Sequence, residues 1–134
     1  MQRKTIVVVA DGDAAARSEM RRGLETAGFS VVEAPNGEVA LHALRTREVG
    51  VLVTDLYLRT GVEPCLVRSL RREAALRRVK VLVVTGHQGT RDREWALREG
   101  ADAFLARPAE LGRVLQVASR LARSRGPARR ASRA

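Results

Sequence analysis

Two aspartates, Asp11 and Asp13, flank Gly12 where the apolar run "VVVA" ends. Farther along, Asp55 follows "VLVT", Thr85 closes "VLVVT" and Arg107 follows "AFLA". Oxygen donors gathered at one place suit a hard cation such as Mg²⁺, which takes one or two carboxylates together with waters and phosphate oxygens. An aspartate is also a nucleophile that accepts a phosphoryl group as an acyl phosphate. That transfer needs a cation against the developing charge and a donor for the equatorial oxygens, roles open to Arg107 and the Thr85 hydroxyl. Each residue alone is a weak signal, because polar residues end most strands. What matters is whether the fold brings them to one edge.

The elements that would do so recur at near-regular intervals. Apolar runs stand at 5–9, 30–34, 51–54, 81–85 and 103–106, and the first, third and fourth are unbroken, as in strands covered on both faces. Helical periods separate them. Ala16, Met20, Leu24 and Ala27 share a face that Gly28 ends. Val39, Leu41 and Leu44 mark a second helix opening near Asn36-Gly37, and Leu66, Val67 and Leu70 a third with Pro64 near its first turn. Thr90 is read as the N-cap of a fourth helix reaching Gly100, and Leu111, Val114, Leu115, Ala118 and Leu121 form the fifth. Five strand–helix units predict an α/β, flavodoxin-like (βα)5 fold, a doubly wound parallel five-stranded sheet in the order 2-1-3-4-5. Ligands then bind beyond the carboxyl ends of the strands, where Asp11 and Asp55 stand side by side.

Bulk properties narrow the class. A chain of 134 residues, 45% hydrophobic, holds one sizeable core. The single cysteine, Cys65, excludes an internal disulfide, and no apolar run nears the ~20 residues of a membrane helix. A cytoplasmic protein is expected, with no membrane contact. Net charge is +10, but "SRLARSRGPARRASRA" at the end holds six arginines and no acid, and without them the balance is +4. We read residues 1–124 as the domain and 125–134 as a basic, disordered tail. The tail has no interleaved aromatic to stack on a base, and Gly126-Pro127 interrupts a recognition helix, so nucleic acid is not the expected partner.

Five stretches, "IVVVADGDAAAR", "VGVLVTDLYL", "VKVLVVTG", "REGADAFLARP" and the last helix, together resemble a response-regulator receiver domain over Lys4 to Ala122. The resemblance implies that Asp55 is the phosphoacceptor, that Thr85 and Arg107 contact the phosphoryl group, and that Thr85 and Phe104 are the switch residues. It implies Mg²⁺ held by Asp11, Asp55 and the backbone carbonyl of Tyr57, and a cis peptide before Pro108. It also implies a sensor histidine kinase as donor and a downstream protein docking on the fourth helix, fifth strand and fifth helix, where Trp95 is a candidate contact. Output by protein contact from a monomer or weak homodimer is the expectation, with no second folded domain and no enzyme activity.

Departures from the family pattern leave alternatives open. Gly12 stands where a second metal-binding acid is usual. Asp13, one residue later, either reaches the ion or caps the next helix. Arg107 replaces the usual lysine with a planar fork, and "LRTGVEP" replaces the usual loop after the acceptor. Weaker Mg²⁺ binding follows as an expectation. A pseudo-receiver that binds partners without phosphorylation is therefore a second reading. A third is a phosphatase resembling the haloacid dehalogenases, with Asp11 as nucleophile and Asp13 as acid/base. His42 and His87 have no ligand partners in the sequence and are given no role.

Overall fold

The computed structural model describes residues 3–61, 65–86 and 89–133, with side chains up to Ser124. Five parallel strands, β1 (Ile6–Ala10), β2 (Ser30–Ala34), β3 (Val49–Thr54), β4 (Lys80–Thr85) and β5 (Ala103–Ala106), form one sheet in the order β2-β1-β3-β4-β5. Helices α1 (Ala14–Thr26), α2 (Gly37–Thr46), α3 (Leu66–Arg71), α4 (Thr90–Glu99) and α5 (Leu111–Arg133) alternate with them, and a 3₁₀ turn at Ala74–Leu76 precedes β4. The fold is the predicted doubly wound one.

Unbroken apolar strands make sense because both faces of the sheet are covered. Val8, Ala10, Leu52, Val81 and Val83 face one core with α2, α3 and α4 residues such as Leu44, Leu66, Leu70 and Ala96. Val7, Val9, Val51, Val53, Leu82 and Val84 face the other, against Met20 and Leu24 of α1 and Val114, Ala118 and Leu121 of α5. Fully burying each Leu or Val contributes roughly 1.5–3 kcal/mol. The β2 edge is blunted differently: Glu33 takes Arg17 and Arg21 from α1 at 2.9 and 2.6 Å.

Several helix details differ from the sequence reading. The buried stripe of α2 runs through Gly37, Ala40, Ala43 and Leu44, while Val39 is exposed. Small residues lie against the sheet because the backbone itself comes close there. Ala27 is not on the buried face of α1; it is the C-cap, followed by Gly28 at φ +102°. Thr90 is the first residue of α4 rather than its cap; Gly89 is the N-cap, and its N–H donates to Asp92 Oδ2 at 3.1 Å. Leu97 is exposed, and only its neighbour Ala96 lies over the core. Helix α5 continues past Gly126 and Pro127 to Arg133, although Pro127 has no N–H to give it. The tail's side chains from 125, Pro64 and His87 lie outside the described residues.

The loop after β3 is clamped to its surroundings. Leu56 is buried, the Leu66 N–H donates to Leu58 O at 2.7 Å, and the Thr60 and Ser69 hydroxyls are hydrogen-bonded to each other. Gly37 lets α2 approach this loop: a Cβ there would lie 2.0 Å from Arg59 O. Gly37→Ala should therefore lower unfolding stability by about 1–3 kcal/mol in urea titrations. Gly112→Ala, in open space on α5, should raise it by up to about 1 kcal/mol in the same assay.

Candidate functional site at the carboxyl edge of the sheet

The register brings the two acids together. Ala10 pairs with Thr54, so Asp11 and Asp55 leave adjacent strands at the same level, and Asp55 N–H donates to Ala10 O at 3.3 Å. Thr54 pairs with Val83 and Thr85 with Ala106, which sets Thr85 on the next strand and Arg107 just past β5. Four residues spread over the chain thus share one rim.

Their bonding is specific. Asp11 is buried, with Oδ1 accepting the Asp13 N–H at 2.9 Å and Oδ2 accepting Arg107 Nη2 at 2.5 Å. Arg107 reaches across from β5, and β3 and β4 lie between the two partners in the sheet. Its own backbone N–H donates to Thr85 O at 2.8 Å, and its Nε to Val84 O at 3.4 Å. The bond from Arg107 to Pro108 is cis. Arg17, one helical turn after Asp13, donates to the Asp11 carbonyl at 2.7 Å. Asp55 is half-buried. Its Oδ1 accepts the Leu56 N–H at 2.7 Å, and its other oxygen has no partner among the described residues. Thr85 is wholly buried.

Asp13 is occupied by its helix. It is the N-cap of α1, and Oδ1 accepts the Ala15 N–H at 3.0 Å. This is the capping arrangement that satisfies a free donor at a helix start. The phosphatase alternative loses its parts here: Asp11 has both oxygens engaged, and Asp13 is an exposed cap.

Tyr57, singled out in the sequence for its carbonyl, uses its side chain on the other side of the rim. Its hydroxyl donates to Asp92 Oδ1 at 2.6 Å, and its ring stacks on Trp95 with centroids 5.3 Å apart. Arg68 lies 5.9 Å from the Trp95 ring and pairs with Glu99 at 2.8 Å. Trp95 is therefore half-buried in a clasp between the loop after β3 and α4. Phe104 is also half-buried, with Arg93 5.9 Å from its ring. The sequence reading missed Asp92, Arg17 and the Tyr57 ring; the one available signal was that the only tyrosine and the only tryptophan occur in a chain so poor in aromatics. Cys65 is buried, which pushes its thiol up and makes it a poor nucleophile.

Parallel strands in this order, with acids, a hydroxyl and a cation on the carboxyl edge, define a doubly wound domain with a polar site where such folds bind ligands. The family model for the response regulator receiver domain matches residues 7–119, and the chain belongs to that family. The KDP operon transcriptional regulatory protein KdpE of Escherichia coli is 32% identical over 119 residues, covering 87% of this chain and 52% of the relative. The transcriptional regulatory protein PrrA of Mycobacterium tuberculosis is 30% identical over 120 residues, covering 90% and 51%. The chain spans about half the length of these curated relatives. Among solved structures, the receiver domain of the Francisella response regulator 1452 superposes with a TM-score of 0.81 at 22% identity, covering 90% of this chain and 98% of that one. Chemotaxis response regulator CheY4 of Vibrio cholerae gives 0.79 at 21%, covering 89% and 99%. Both structures share the fold.

Receiver domains generally bind Mg²⁺ in an acidic pocket. The residues here do not fit that ion. Asp11 has one oxygen on Arg107 and the other on a backbone N–H, Asp13 faces its own helix, and Gly12 offers no ligand. Only Asp55 and the Tyr57 carbonyl remain of the expected set, and no group of three acidic, His or Cys side chains could hold a metal among the described residues.

Acceptance of the Tyr57 proton's hydrogen bond by the Asp92 carboxylate holds the phenol above its ordinary value of 10.0, with smaller help from burial. The folded value is raised, so the contact contributes at pH below 10 and fades as pH rises through the higher midpoint. Tyr57 is the only tyrosine, so tyrosinate absorbance reads it directly. Its midpoint should lie above that of free tyrosine and should fall toward it in Asp92→Asn.

Proposed function

We propose that the chain is a phosphoryl-accepting switch of a two-component pathway, with Asp55 as the acceptor and a sensor histidine kinase as the donor. Receiver domains are signalling modules rather than classical enzymes. The single observation that carries the reading is the state of Asp55: at the end of β3, beside Asp11, with one oxygen held by the Leu56 N–H and the other without a partner among the described residues. An oxygen in that state has its lone pairs available for attack.

In the transfer, a lone pair on that oxygen forms the new O–P bond. The P–N bond to the donor nitrogen breaks, its electron pair stays on nitrogen, and nitrogen takes a proton from water. The transferred group carries its charge on three equatorial oxygens, which need donors already in place. The Thr85 hydroxyl and the Arg107 guanidinium occupy the next strand ends and supply them. Output goes by protein contact through the face of α4, β5 and α5, with Thr85 and Phe104 answering the new charge and Trp95 within reach of the partner. The added charge biases an equilibrium between two surfaces.

A second reading, the pseudo-receiver, is favoured by Gly12, which leaves the rim without one of the acids of the family pattern. Incubation with phosphoramidate decides between them. The wild-type protein should gain the mass of one phosphoryl group, labile to hydroxylamine, and Asp55→Asn should gain none. An unlabelled wild-type protein, or a label retained by Asp55→Asn, overturns the acceptor role.

A further inference from the structure

The rim carries an internal cation, Arg107, bonded to an acid that the family pattern gives to a metal. We infer that the Arg107 guanidinium replaces the divalent ion at this site, so that Asp55 accepts a phosphoryl group without one. The inference rests on the reading of Asp55 as acceptor.

A divalent ion at such a mouth has two tasks: it balances crowded carboxylates at rest, and it holds phosphoryl oxygens during transfer. Arg107 performs the first directly, since Nη2 lies 2.5 Å from Asp11 Oδ2. It is equipped for the second. A guanidinium has five N–H donors in a fixed fork, and two are used here, one on Asp11 and one on the Val84 carbonyl. The three others have no partner among the described residues. A planar fork matches phosphate oxygens two at a time, whereas a lysine ammonium acts as a point charge.

Three features of the chain agree with this exchange. Gly12 removes a carboxylate that a single positive charge could not balance. Asp13 has moved to helix capping, where its charge is spent on the α1 N-terminus. The backbone of Arg107 is fixed by its N–H bond to Thr85 O, so its guanidinium is held over the ends of β3 and β4. The site therefore has a smaller negative charge and a covalently attached counter-charge, each needing the other.

The test has two independent arms on the intact protein. In the first, Mg²⁺ is titrated into the wild-type protein by calorimetry. No saturable binding should appear in the millimolar range, whereas Gly12→Asp/Arg107→Lys should bind. Room exists for that carboxylate, because a Cβ at Gly12 meets only Pro35 O at 3.9 Å. In the second arm, phosphoramidate labels the wild-type protein in EDTA and in Mg²⁺. The two rates should agree within about twofold, and Arg107→Gln should label roughly tenfold to a hundredfold more slowly in both.

Saturable Mg²⁺ binding by the wild-type protein overturns the inference. So does labelling of Asp55 that falls about tenfold or more in EDTA, and the acceptor reading then survives. If the wild-type protein is labelled under neither condition, the acceptor reading falls instead, and the claim of metal-free phosphorylation falls with it. The titration still decides whether Arg107 excludes the ion.

Discussion

One ion pair closes the carboxyl-terminal edge of this sheet, and most of what surrounds it follows from it. Asp11 sits deep in the rim, with a side chain only 10% exposed. A carboxylate so placed is costly without a partner, because it has lost water and gains nothing from the apolar strands behind it. Arg107 supplies that partner from the far side of the sheet. Doing so requires the strand order that sets β3 and β4 between β1 and β5, and a loop that turns back over their ends. Asp55 and Thr85 finish those two intervening strands. The pair that satisfies Asp11 thus also delivers positive charge to the place where Asp55 offers its remaining oxygen.

Most of this architecture is legible in the chain itself. Runs such as "VLVV" cannot be half-exposed strands, since every position is apolar, and a sheet covered on both faces is the structure that satisfies them. Strand ends then follow, and with them the convergence of Asp11, Asp55, Thr85 and Arg107. Helix faces are less legible. Val39 is more hydrophobic than Ala40 or Ala43, and a period built on it points outward. The actual face uses small residues because Gly37 and the alanines let α2 close on the strands and on the Arg59 carbonyl. Distance between backbones, not side-chain hydrophobicity, chose the stripe.

The site shows the same boundary between type and pairing. Residue types announce oxygen donors and a cation, yet they do not say who holds whom. Asp13 satisfies the requirements of a ligand and of a cap equally well on paper; in the fold one of its oxygens caps α1, which starts immediately after it. The Arg107–Asp11 contact joins positions 96 residues apart, and the Tyr57–Asp92 contact joins positions 35 apart. Such pairs are set by the fold's three-dimensional closure. A short stretch of sequence carries no trace of them.

That closure also fixes how the rim addresses the rest of the molecule. Asp92 holds two groups at once: Oδ2 takes the Gly89 N–H at the start of α4, and Oδ1 takes the Tyr57 hydroxyl from the loop that follows Asp55. The first turn of α4 and the loop after β3 therefore share one carboxylate. At its other end, α4 is held by the Glu99–Arg68 pair, and Arg71 Nε donates to the Gly100 carbonyl at 3.0 Å. A helix anchored at its last turn and joined to a loop at its first responds to that loop chiefly at the first turn. The stacked Tyr57 and Trp95 rings sit at this junction. Asp55, two residues before Tyr57, is thus separated from the α4 surface by one hydrogen bond and one ring contact.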